Sequence, residues 1–97
     1  MKSLEEIKNK LRELEPILKQ EFKIGEIGLF GSYVRGEQNE KSDLDVLVKF
    51  DVTPDLFKLC EIKEYLSEKL GVKVDLVMKT SLKPRIGKRI LAETVFV

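Results

Sequence analysis

Leu4, Ile7, Leu11, Leu14 and Leu18 recur at spacings of three and four, with charged residues between them, over residues 4 to 21. That is the apolar stripe of an amphipathic helix. Ser3 followed by Glu6 supplies a capping box at its start, and Pro16, late in the pattern, predicts a kink or break near Glu15. After Gly25 the pattern shortens to a strand, Glu26 to Phe30, which ends at a Gly31-Ser32 turn. Residues 37 to 42, Glu-Gln-Asn-Glu-Lys-Ser, are wholly polar and read as a loop. From Asp43 to Phe50 the chain alternates, with Leu44, Val46, Val48 and Phe50 on one face and Asp43, Asp45, Leu47 and Lys49 on the other.

The second half repeats the two periods. Thr53 as cap and Pro54 in the first turn predict a helix that turns Leu56, Leu59, Cys60, Ile62, Leu66 and Leu70 inward and stops at Gly71. Cys60 is thereby expected to be a buried, inert thiol. Val72 to Met78 reads as a third strand, in which Asp75 falls on the face opposite Val74, Leu76 and Met78. A short helix with Leu82, Ile86 and Ile90 inward follows, and residues 94 to 97 can add an edge strand. The predicted fold is α+β, a small mixed sheet with helices on its aliphatic face. Its other face is left open where the carboxylates gather. Such an open face is expected to be covered by a homodimer contact or a docked partner.

Composition narrows the function classes. With 97 residues the chain is read as one domain, 1–97, with a single modest core. Eighteen basic residues against 17 acidic ones leave a net charge of +1, which argues against generic nucleic-acid or membrane binding. There is no histidine and one cysteine, so Cys/His zinc sets, histidine acid–base chemistry and an internal disulfide are all excluded. No apolar run suits a signal peptide or a membrane span, and a cytoplasmic location is the default. The segment Lys79 to Arg89 is basic, with Lys79, Lys83, Arg85, Lys88 and Arg89. It reads first as a solvated helix face and second as a site for phosphate or an acidic partner.

The chemistry lies in residues 31 to 45 and at Asp75. Glycine and serine at a strand exit can offer N–H groups and a hydroxyl to phosphate. Asp43 and Asp45, at i and i+2 on a strand, stand about 6.5 Å apart along it and face the same way, a span that two magnesium ions could bridge. Asp75 from another strand adds a third hard oxygen ligand. Three clustered carboxylates repel one another unless cations stand between them. Gly31 to Gly36 lacks the Gly-Lys-Ser/Thr ending of a P-loop, and Asp43-Leu44-Asp45 lacks the glycine and final glutamate of a calcium loop.

In order along the chain, Gly31-Ser32-x-x-Arg35-Gly36, Ser42-Asp43-x-Asp45 and Asp75 within Val74-Asp75-Leu76-Val77 resemble the pattern of the minimal nucleotidyltransferases (MNT) of the DNA polymerase β superfamily. The likeness extends over nearly the whole chain. Tyr33-Val34 stands where many relatives carry Arg-Ala or a similar pair, which leaves the shape of the turn open. The resemblance implies a polymerase β palm-like fold, with ATP as substrate and two Mg²⁺ ions as cofactors. Ser32 with the Gly31 backbone would hold the triphosphate, Asp43 and Asp45 would bind both metals, and Asp75 would bind the catalytic metal and help to deprotonate the attacking hydroxyl. Arg35 would touch phosphate or acceptor, or else brace the turn through a salt bridge. Tyr33 would be an exposed turn residue or a platform for a base.

The resemblance implies more: minimal nucleotidyltransferases of this size usually act as antitoxins that transfer AMP from ATP to a tyrosine of a HEPN ribonuclease toxin. The resemblance therefore implies a HEPN protein as partner. Two other functions fit the same residues: an inactive MNT fold that blocks its partner by binding, and a transferase acting on RNA ends or a small molecule.

Overall fold

The computed structural model describes residues 2–97. The leading stripe forms helix α1, Leu4–Gln20, capped by the Ser3 hydroxyl, which accepts from the Glu6 N–H at 3.2 Å. The helix does not break at Pro16. Proline removes only the hydrogen bond to the Arg12 carbonyl, and both residues lie on the exposed face, where water can serve that oxygen. Leu14 and Leu18 on either side stay anchored in the core.

Strand β1, Ile24–Phe30, begins two residues earlier than the pattern indicated, because the Ile24/Glu26 irregularity takes Gly25 into the strand. Helix α2, Ser32–Arg35, is a single turn where a plain turn was expected. Strand β2, Leu44–Phe50, starts just after Asp43. Helix α3, Leu56–Leu70, and strand β3, Val74–Met78, follow. A 3-10 turn at Lys79–Ser81 leads to helix α4, Pro84–Glu93, and strand β4, Val95–Phe96.

The strands form one mixed sheet in the order β3-β2-β1-β4. β1 runs antiparallel to β2 and β4, whereas β2 and β3 are parallel and joined through α3. One sheet face, built from Ile24, Leu29, Leu44, Val46, Val48 and Val74, packs with Ile7, Leu11, Leu14 and Leu18 of α1 and Ile62, Leu66 and Leu70 of α3. Each fully buried aliphatic side chain there contributes about 1.5–3 kcal/mol relative to exposure. The opposite face is less bare than its carboxylates suggested. Leu47 and Phe30 are buried on it, and α4 borders it.

Several expected positions moved. The cap of α3 is Asp55, whose carboxylate accepts from the Lys58 N–H at 2.8 Å, so Thr53 and Pro54 lie outside the helix. Leu56 and Cys60 are exposed rather than inward. The inward face of α3 is set by Ile62, Leu66 and Leu70, and at about 100° per residue Cys60 points about 160° and Leu56 about 120° away from Ile62. Leu59, at about 60°, is half-buried. In the last helix Leu82 falls before the first turn, and Ile86 is 57% exposed. Gly87, packed under the Leu82 side chain, is its buried residue. Among the described residues no helix is long and apolar enough to cross a membrane.

Candidate active site

The end of β1 and the start of β2 place the glycine turn beside the first carboxylates. Asp45 pairs with Phe30 across the antiparallel ladder, so its side chain lies next to Gly31. Gly31 has φ +81° and ψ −153°, a conformation essentially confined to glycine. A Cβ at this position would collide with the Asp45 carboxylate. The Gly31 carbonyl accepts from the Val34 and Arg35 N–H groups, both at 3.1 Å, and Gly36 closes the turn at φ +74°.

Asp43 is delivered by an ordered loop. The Asn39 N–H donates to the Ser42 hydroxyl at 3.0 Å, the Ser42 N–H donates to the Asn39 carbonyl at 3.0 Å, and the Lys41 N–H donates to the Asn39 side chain at 2.8 Å. Asp75 is placed by the parallel ladder, in which Asp45 stands opposite Asp75. Neighbouring strands lie about 4.8 Å apart, so the two carboxylates share one face at adjacent positions. Ser67 of α3 supports that register: its hydroxyl donates to the Lys63 carbonyl at 2.8 Å and accepts from the Val74 N–H at 3.1 Å. Ser67 and Asn39 carry no motif, and nothing in their local sequence marked them.

The charges of the cluster act on one another. Partial burial, then the negative charges of Asp75 and Asp43, push the Asp45 carboxyl from 3.8 to about 6, while Arg35 pulls the other way. Among the described residues no three Cys, Asp or Glu side chains converge closely enough to enclose a metal unaided. The donor set still fits magnesium. That ion keeps several waters and is usually held by one or two carboxylates together with substrate phosphates. A cation would also relieve the repulsion that holds Asp45 up.

Arg35 is engaged as a brace. Its Nη1 donates to Glu93 Oε1 at 2.6 Å and its Nε to Glu37 Oε2 at 3.0 Å. Glu93 Oε2 in turn accepts from the Gly31 N–H at 3.0 Å. Glu93 was absent from the candidates, since no local pattern pointed to a residue 62 positions from Gly31. Tyr33 is neither an exposed turn residue nor a base platform: only 4% exposed, it belongs to the main core. Ser32, on the same turn of α2, is half-buried.

Two clefts flank the carboxylates. One, of about 370 Å³, runs between Phe30, Gly31 and Asp45 on one side and Ile86, Arg89 and Ile90 of α4 on the other. The second, of about 790 Å³, is polar and reaches Asp43, Ser42, Lys2 and Lys73. Of the basic segment, Lys79 pairs with Glu26 at 3.2 Å, Arg89 borders the first cleft, and Lys83, Arg85 and Lys88 are exposed.

Comparison with known proteins gives this site a family. Residues 11–97 match the nucleotidyltransferase domain model. Protein adenylyltransferase MntA of Thermococcus cleftensis is 52% identical over 97 residues, covering 100% of this chain and 98% of that protein. A Methanocaldococcus jannaschii protein, provisionally named a protein adenylyltransferase, is 50% identical over 98 residues, with 100% of both chains covered. A solved structure described as a minimal nucleotidyltransferase superposes with a TM-score of 0.74 at 33% identity, covering 92% of this chain and 93% of that one. A toxin–antitoxin structure with AMP-PNP gives a TM-score of 0.69 at 29% identity, covering 95% of this chain and 69% of that one. The chain belongs to the nucleotidyltransferase domain family and, within it, to the minimal, MntA-type protein adenylyltransferases.

Proposed function

We propose that this protein transfers AMP from ATP, with magnesium, to a tyrosine hydroxyl of a HEPN ribonuclease toxin and so acts as its antitoxin. The observation that carries the proposal is the register of Asp45 opposite Asp75, with Asp43 near enough to act on the charge of Asp45 and Gly31 packed against the Asp45 carboxylate. Its support among relatives is the protein adenylyltransferase MntA and the toxin–antitoxin structure with AMP-PNP.

In this reading Asp43 and Asp45 hold two Mg²⁺ ions and the Ser32 hydroxyl holds the triphosphate. Bound magnesium supplies charge neutralisation at the phosphates and at the attacking oxygen. Asp75, exposed on the edge strand, meets the incoming hydroxyl and takes up its proton. The acceptor oxygen forms a bond to the α-phosphorus, the bond from that phosphorus to the β-phosphate bridging oxygen breaks, and pyrophosphate leaves. The chain offers the donor side of the reaction, and the edge position of Asp75 leaves room for an acceptor carried by another protein.

The test combines the chain, its HEPN partner, ATP and Mg²⁺ and weighs the intact partner. AMP-sized mass steps, with loss of ribonuclease activity, are expected. The near-isosteric double variant Asp43→Asn with Asp45→Asn, which removes both charges, should abolish both. Neutralisation that survives in this variant would establish instead a partner that blocks by binding alone.

A further inference from the structure

One contact beside the active site has no part in the chemistry proposed above. Glu93, the last residue of α4, uses both carboxylate oxygens on the phosphate turn: Oε2 accepts from the Gly31 N–H at 3.0 Å and Oε1 from Arg35 Nη1 at 2.6 Å. A single side chain thus grips both ends of α2. These two hydrogen bonds, that from Arg35 first, hold the Glu93 carboxyl below the usual carboxylate range.

The turn needs such a grip. Four residues cannot hold a helix by local hydrogen bonding, because nucleation of an isolated turn is unfavourable. Gly31, at φ +81° and with no side chain to pack, joins the turn to β1 beside Asp45. On the inner side Tyr33 anchors α2 in the core, and on the outer side the Glu93 carboxylate anchors Gly31 and Arg35. Glu93 has a quarter of its side chain exposed, so its bonds compete with water. Their effect is on position more than on stability.

We infer that Glu93 is a positioning residue for AMP transfer, fixing the Gly31-Ser32 turn against Asp45 from the end of α4 without touching ATP. This rests on the proposed role of Ser32 in holding the triphosphate. With the Gly31 N–H engaged by Glu93, phosphate contact at the turn falls to Ser32. The last helix, which already walls the cleft beside Asp45, becomes part of the active-site frame.

Glu93→Ala and Glu93→Gln in the full chain test this with three readouts. The first is hydrogen exchange of the Gly31 amide, which needs neither ATP nor metal. It should be protected in the wild type and exchange at least about tenfold faster in Glu93→Ala, while the amides of Val46 and Val48 are unchanged. The second is affinity for Mg²⁺ and AMP-PNP, which should fall about tenfold in Glu93→Ala. The third is AMP-transfer kcat, which should fall about 10–100-fold in Glu93→Ala. Glutamine keeps one acceptor oxygen, enough for either the Gly31 N–H or Arg35 but not both, so Glu93→Gln should fall between wild type and Glu93→Ala.

An unprotected Gly31 amide in the wild type, or kcat within twofold of wild type in Glu93→Ala, overturns the inference. Tighter AMP-PNP binding in Glu93→Ala also overturns it, because the carboxylate would then be a competitor of phosphate. If the wild type adenylylates no protein, the proposed function falls, and the analogue affinities alone decide: weaker binding in Glu93→Ala sustains the positioning role, and unchanged binding refutes it.

Discussion

Gly31→Ala isolates the contact on which the carboxylate cluster depends. At φ +81° and ψ −153° an alanine is strained by about 1–3 kcal/mol, and its Cβ would overlap the Asp45 carboxylate. Asp45 must then swing away from the register it shares with Asp75. With about 2 kcal/mol as the central expectation, the melting temperature should fall by about 8–16 °C for a domain of this size. Transfer activity, measured well below the new melting temperature, should fall about a hundredfold or more, because a misplaced ligand removes orientation and not merely affinity. Gly36→Ala is the matched control: φ is +74°, but nothing lies within 4 Å of the added Cβ. It should cost about 1–2 kcal/mol and leave transfer within a few-fold of wild type. Equal losses of activity in the two variants would refute the argument, since the damage would then come from strain in the turn and not from displacement of Asp45.

Asp45 also predicts a pH dependence. Its folded value of about 6 lies above the ordinary 3.8, so its ionisation opposes folding, and the stability it contributes is complete below about pH 4 and lost as pH rises through about 6. Metal-free Asp45→Asn should therefore melt above the wild type at pH 7–8, by on the order of 1 kcal/mol after discounting for solvent, and equal it near pH 4. Magnesium affinity of the wild type, followed by calorimetry, should fall about tenfold per pH unit below 6 as protons compete for Asp45. Asp55→Ala should cost about 1 kcal/mol, seen in chemical denaturation, whereas Thr53→Ala should change stability by less than about 0.5 kcal/mol. Tyr33→Ala should cost about 3–5 kcal/mol, and Tyr33→Phe should leave the KM for ATP unchanged, because the ring fills the core and does not stack on a base.

Local periodicity carried much of the fold. The stripe of α1 and the alternation along β2 were readable because each of those elements has one face in water and one in the core. It failed where local pattern gave no unique face. Leu56 and Cys60 were apolar enough for the core, yet the angular position of Ile62, Leu66 and Leu70 turned them out. Thr53-Pro54 was read as the start of a helix, but Asp55 two residues on caps it, its carboxylate accepting from the Lys58 N–H. Tyr33 looked like a turn residue because its turn winds into a helix whose inner side is core.

By itself the sequence marked the candidate carboxylates and the facing of two of them: Asp45 and Asp75 fall opposite the aliphatic positions of β2 and β3, a consequence of the two-residue period of β structure, while Asp43 sits just before β2. It also marked the glycine-serine turn ahead of them. Which residues then met was decided by tertiary structure. The parallel ladder set Asp45 opposite Asp75, partial burial and like charge raised Asp45, and α4 returned Glu93 to Gly31 across 62 residues. Such contacts are fixed by strand register and helix placement, which depend on packing the whole core at once and leave no trace in any one stretch of chain.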